Sequence, residues 1–161
     1  MLAKACNGVG AVAVRFNFRG VGRSAGKYGE GDGETDDAVA VANWALAQWP
    51  GAELWLAGFS FGGAVAIRAA ARTPARRLIT VAPAIRRVPV DVTQVPTCPW
   101  LVVQGDRDEL VDAQDLQQWL AALPVRPELA LLSDVDHFFH GRLNDLRDVV
   151  VKWVTDEAVG G

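Results

Sequence analysis

Along this chain, short apolar or β-branched runs alternate with segments whose apolar residues recur every three or four positions. The runs predict strands at Ala11–Phe18, Glu53–Phe59, Leu78–Ala82, Trp100–Gln104 and Leu129–Leu132. They are nearly continuous in apolar residues, as parallel strands covered on both faces are. Between the first two, Thr35 is placed to cap a helix with Asp36 and Asp37 in its first turn and Val41, Ala45, Leu46 and Trp49 on its apolar face. Pro50 and Gly51 end it. Further helices are expected from Gly62 to about Arg72, from Asp112 with Leu116, Trp119, Leu120 and Leu123 inward, and through Leu143, Leu146, Val150 and Trp153. Residues 83–99 carry Pro83, Pro89, Pro96 and Pro99 without helical period, which predicts an extended crossover forming a wall of any site. The fold class implied is α/β, three layers around a mostly parallel sheet.

Composition narrows the function classes. A length of 161 residues predicts one domain spanning 1–161, and 50% hydrophobic with 22% charged residues excludes a disordered chain. The net charge of −3 supplies no basic field for phosphate backbones, so nucleic acid is not an expected partner. Cys6 and Cys98 stand alone, suggesting neither a disulfide scaffold nor a zinc knuckle, and a reducing cytoplasm is the expected location. The longest charge-free stretch, Leu54–Ile67, has 14 residues and three glycines against the roughly 20 apolar residues of a membrane span, and Met1–Gly10 does not read as a signal peptide.

The chemistry concentrates after the second strand. Gly58-Phe59-Ser60-Phe61-Gly62 satisfies G-x-S-x-G at a strand-to-helix junction. There a strained backbone lifts the serine hydroxyl above the sheet, and a Cβ at Gly58 or Gly62 is expected to collide with the neighbouring helix or strand. The helix that follows aims its dipole and free N–H groups at the site, which makes the Phe61 N–H a candidate oxyanion donor. A serine needs a base, and the chain contains two histidines, His137 and His140, both after the last strand. His137 follows strand and loop directly, whereas His140 sits at the mouth of the final helix, so His137 is the expected base. Gly105-Asp106-Arg107-Asp108 offers Asp106 or Asp108 as the orienting acid.

Together these features resemble a small, lid-free bacterial serine hydrolase of the α/β-hydrolase superfamily, of the carboxylesterase or dienelactone-hydrolase kind. The marks are Arg15 to Ser24 after a strand, Gly29 to Asp37 before a helix, the elbow, the Gly-Asp-Arg-Asp turn and His137-Phe138-Phe139. The resemblance implies Asp108 as acid and His137 as base, with Asp106 the second choice. It implies carboxylic esters or thioesters of small to medium acyl groups as substrates, cleaved through an acyl-enzyme with no cofactor and no metal. Phe59 and Phe138, beside the proposed triad, are candidate substrate-binding residues, with Phe61 a further aromatic there. It also implies three further strands before Ala11–Phe18, the third lying between the segments matching Ala11–Phe18 and Glu53–Phe59, with the loop after it giving a second oxyanion donor. On that reading the chain is N-terminally truncated, and either these two strands pair directly, a second chain fills the gap, or exposed edges invite homo-oligomers. The competing function is a non-catalytic α/β fragment or interaction domain that keeps the triad residues.

Other patterns carry less. Gly20-Val21-Gly22-Arg23-Ser24-Ala25 matches a dinucleotide fingerprint, but Gly26, Gly29, Gly31 and Gly33 follow where a helix should open. Asp134, Asp136, His137 and His140 form a metal-like cluster, with no further histidine to complete it. Arg68, Arg72, Arg76, Arg77, Arg86 and Arg87 form a basic band expected to be a solvated, ion-paired face.

Overall fold

The computed structural model describes residues 1–159, in the order α1 (Leu2–Gly8), α2 (Asp32–Gln48), β1 (Leu54–Phe59), α3 (Phe61–Ala70), β2 (Ala75–Val81), β3 (Trp100–Gly105), α4 (Ala113–Ala121), β4 (Glu128–Leu132) and α5 (Leu143–Val159). The strands pair in the order β1-β2-β3-β4, all parallel, in register Gly58 with Thr80, Thr80 with Val102, and Val102 with Leu129. Period-two alternation divides the central strands between two cores. Ile79, Val81, Leu101 and Val103 pack with Leu146, Val150, Trp153 and Val154 of α5 and Ala5 of α1. Leu78, Trp100 and Val102 turn the other way, onto Ala66, Ile67 and Ala70 of α3 and Leu116 and Leu120 of α4. Two covered faces explain why these strands read as unbroken apolar runs. Thr80, a polar residue buried in this layer, is satisfied by the Trp100 Nε1–H at 2.9 Å. This is the expected three-layer α/β arrangement, and no helix among the described residues is long and apolar enough to cross a membrane.

The predicted strand Ala11–Phe18 is a correction. It runs without ladder partners, leaving Val12, Val14 and Phe16 exposed. Alternation prepares a strand, but only a neighbour's N–H and C=O groups make one. Among the described residues β1 pairs with β2 alone, so direct pairing of β1 with Ala11–Phe18 does not occur. A groove of about 960 Å³ lies between them, lined by Val12, Val14, Phe16, Leu54, Leu56 and Val65 among others. It reaches Gly58, Phe59 and Phe138, yet Ser60, Asp108 and His137 are not in its wall. It is a slot along a sheet edge that has no partner strand among the described residues, and it borders the loop after β1.

The start of α2 also differs from expectation. Its N-cap is Gly31, at φ 100°, a conformation glycine adopts without strain. Glu34 reaches back to accept the Gly29 N–H at 2.8 Å and the Gly31 N–H at 2.9 Å, while Thr35, one turn inside, donates its hydroxyl to the Gly31 carbonyl. Thr35 is thus not the cap; Glu34 satisfies the orphan donors first. Burial works to raise the Glu34 carboxyl, but backbone N–H groups of Gly29, Glu34 itself and Gly31, with Arg19 nearby, hold it below the usual carboxylate value.

A carboxyl whose folded value is depressed contributes stability above its unfolded value, near 4.3, and loses it as pH falls through the folded one. Glu34→Gln is therefore expected to lower the melting temperature by about 2–8 °C at pH 7. The gap to wild type should close as pH falls below about 4. Thermal melts from pH 7 downward check it, and a gap independent of pH would show that the charge of Glu34 contributes nothing.

Candidate active site

Three side chains converge above the carboxyl ends of the parallel strands, where open α/β sheets place their ligand crevices. Ser60 follows β1, Asp108 follows β3 and His137 follows β4. The elbow has the strain anticipated: Ser60 sits at φ 52°, ψ −119°. Its N–H is held by the Val81 carbonyl at 2.8 Å, and its carbonyl takes the N–H groups of Gly63, Ala64 and Ala84. Those four bonds fix a backbone that would otherwise relax.

The glycine expectation is met on one side only. A Cβ on Gly58 would lie 2.1 Å from the Gly62 carbonyl oxygen, so no other residue fits. At Gly62 a Cβ would find nothing nearer than the Phe18 ring at 4.0 Å, which corrects the prediction that both glycines are sterically required. The second tight position is Gly63, where a Cβ would meet Pro83 at 3.1 Å. The α3 helix packs against the loop after β2 through that residue, not through Gly62.

His137 Nε2 is 3.0 Å from Ser60 Oγ, and His137 Nδ1 is 2.8 Å from Asp108 Oδ2. A carboxylate only accepts, so Nδ1 carries the proton in this pair and Nε2 is left to accept from the serine hydroxyl. The Asp108 side chain is 0% exposed and that of His137 2%, which removes water from the pair. Asp108 Oδ1 also accepts the Leu110 and Val111 N–H groups, at 2.9 and 2.7 Å. Asp106, the second choice for the acid, points elsewhere: its Oδ1 accepts the Asp134 N–H at 2.7 Å and so ties the loop carrying His137 to the loop carrying Asp108. The two loops also meet at Gly105, where a Cβ would come within 2.2 Å of the Val135 carbonyl oxygen.

The Phe61 N–H opens α3 and has no backbone acceptor among the described bonds, as an oxyanion donor requires. Phe59 and Phe138 flank the imidazole, with ring centroids 4.9 and 5.0 Å from that of His137, and both are exposed. Phe18 and Tyr28 lie against Phe61 at 5.8 Å each. Tyr28 was not anticipated, because it lies in a glycine-rich stretch without period. That stretch is braced by Arg19, which pairs with Asp37 through its guanidinium and its backbone N–H. Gly33 exists for this arginine, since a Cβ there would meet its Nη1 at 2.3 Å. The glycines serve a folded wall beside the elbow.

The remaining clusters separate in space. His140 pairs with Asp136 and Asp134 with Arg107, while His137 faces Asp108 and Ser60, so the four residues of the metal-like cluster do not converge. In the basic band Arg68, Arg72 and Arg86 pair with Asp32, Asp36 and Asp115 on the surface. Arg87 lies over the Phe61 ring and Arg77 over Trp55.

Known proteins resemble this chain over most of its length. The family model described as "Serine aminopeptidase, S33" matches residues 1–97. An uncharacterised protein of Rickettsia prowazekii is 30% identical over 151 residues, 88% of this chain. The chain spans 63% of the length of that curated relative. Among solved structures, an α/β serine hydrolase without a lid from Xanthomonas campestris is 47% identical with a TM-score of 0.89, covering 96% of this chain and 70% of that one. An α/β serine hydrolase homologue from Coxiella burnetii is 40% identical with a TM-score of 0.87, covering 94% and 73%.

Proposed function

Because the chain belongs to the family described as "Serine aminopeptidase, S33", and its solved relatives include an α/β serine hydrolase without a lid and an α/β serine hydrolase homologue, we propose that it is a serine hydrolase acting on carboxylic esters or thioesters of small to medium acyl groups. The observation that carries the proposal is the unbroken chain of hydrogen bonds Ser60–His137–Asp108, two of its three members fully buried. Ser60 Oγ attacks the acyl carbon while His137 Nε2 takes its proton, and Asp108 holds the imidazole in the tautomer that makes this possible. Negative charge developing on the carbonyl oxygen is met by the Phe61 N–H at the positive end of α3. The imidazolium returns the proton to the leaving group; a water, deprotonated by the same nitrogen, then releases the acid and regenerates Ser60. Phe59 and Phe138 offer an apolar seat for a short acyl chain at the mouth of the site.

The test is reaction with a fluorophosphonate. One equivalent is expected to be incorporated, mapping by peptide analysis to Ser60 and absent from a Ser60→Ala protein. Well-folded protein that takes up no label overturns the proposal. That outcome favours a second reading, a non-catalytic interaction domain that associates with a second copy through its strand edges. Its specific support is the unpaired edge of β1 beside the apolar groove.

A further inference from the structure

Gln104 is the last side chain of β3 before the acid loop, and it is 1% exposed in a strand whose other residues are apolar apart from the terminal Gly105. Its amide nitrogen lies 3.0 Å from Asp108 Oδ2, 3.0 Å from the Val111 carbonyl and 3.2 Å from the Gly105 carbonyl. All three neighbours are acceptors, so the amide must present its NH2 group to them; the opposite orientation would set four oxygens against one another. The consequence is visible on the other side of the amide. Gln104 Oε1 is buried with no hydrogen-bond partner among the described residues. A buried carbonyl left unpaired is destabilising, and an apolar side chain at this position would avoid that.

With Gln104 in place, Asp108 has every lone-pair site occupied. Oδ1 receives Leu110 and Val111, Oδ2 receives Gln104, and His137 Nδ1 bridges the two oxygens at 3.0 and 2.8 Å. The amide also grips both ends of the loop 105–111, through the Gly105 and Val111 carbonyls. We infer that Gln104 is a positioning residue of the site, which holds the Asp108 carboxylate and its loop so that the carboxylate meets His137 Nδ1. It touches no substrate and acts through Asp108. The inference rests on the acyl-transfer reading above and deepens it by adding a member behind the acid.

Gln104→Met keeps the volume and length of the side chain while removing both the NH2 donors and the unpaired oxygen. It is expected to lower kcat on p-nitrophenyl acetate, per active site titrated by burst, about tenfold to a hundredfold with KM unchanged. Because the orphaned oxygen goes as well, the melting temperature should stay within about 3 °C of wild type. A residue with a merely structural role would show the reverse, a lower melting temperature with kcat per titrated site intact, and that result overturns the inference. Gln104→Glu sets a carboxylate oxygen against the three acceptors and should be slower than Gln104→Met; an equal or faster Glu protein also overturns it. A readout independent of turnover is the downfield proton resonance of His137 Nδ1–H, which should exchange faster with solvent in Gln104→Met. Unchanged exchange counts against the inference. Wild-type protein that neither labels with fluorophosphonate nor turns over ester removes the acyl-transfer reading and this inference with it. Active wild type beside an equally active Gln104→Met protein removes the inference alone.

Discussion

Replacing Ser60 with alanine is expected to reduce the hydrolysis of p-nitrophenyl acetate by about 10³- to 10⁶-fold in kcat, with the fold intact. The size follows from what the elbow does. The backbone there is held at φ 52° by bonds from Val81, Gly63, Ala64 and Ala84, and none of them uses the Ser60 side chain. Alanine at the same dihedrals keeps the strain and loses only the hydroxyl. Without it His137 Nε2 faces no proton to take, and no acyl-enzyme forms. Whatever rate survives comes from the Phe61 N–H and the binding seat acting on bulk water. Circular dichroism and a thermal melt establish that the variant folds, and steady-state rates measure the loss. A fall of less than tenfold would mean that the esterase activity does not pass through Ser60.

The second large effect is expected from Asp108→Asn, at about 10⁴-fold in kcat, from a change of one atom. In wild type Oδ1 accepts from the Leu110 and Val111 backbones, which forces the amide oxygen of an asparagine into that position. Its NH2 then replaces Oδ2, the nearer of the two oxygens to His137 Nδ1 at 2.8 Å against 3.0 Å, and faces two donors, His137 Nδ1–H and Gln104 Nε2. The imidazole escapes the clash by moving its proton to Nε2, where it can no longer accept from Ser60. Asp106→Asn supplies the contrast. Asp106 accepts the Asp134 N–H and does not contact His137, and an asparagine keeps an oxygen for that bond, so the substitution should leave most of the rate. Comparable losses at the two positions would remove Asp108 from its assigned role.

Much of the candidate site was legible because its signals are local. The elbow is a short segment whose chemistry depends on its own backbone, and the Gly58 clash with the Gly62 carbonyl is a contact four residues apart in the chain. His137 was legible by elimination, with two histidines to choose between. Asp106 and Asp108 were not separable by inspection of the turn alone, since both lie in it; resemblance selected Asp108, and the geometry brings that carboxylate to the imidazole. Gln104 was visible only as a polar residue in an apolar run, and its meaning depended on which strand end it would share with the acid. The requirement for glycine at Gly62 was inferred wrongly because the clearance is set by Phe18, from a segment more than 40 residues earlier.

The sheet divides the same way. Strands β2 and β3 were evident from composition because both their faces are covered, by α1 and α5 on one side and α3 and α4 on the other. Ala11–Phe18 has the alternation of a strand and is not one, because a strand is a relation between two backbones and none of the described residues pairs with this segment. The sequence by itself determined the α/β class, the elbow and the residue types able to move a proton, all of which follow from local backbone preference and side-chain chemistry. Tertiary structure decided which carboxylate faces the imidazole, which glycine is indispensable and which apolar run becomes a strand. Those depend on distances between segments far apart in the chain, set only when the layers pack.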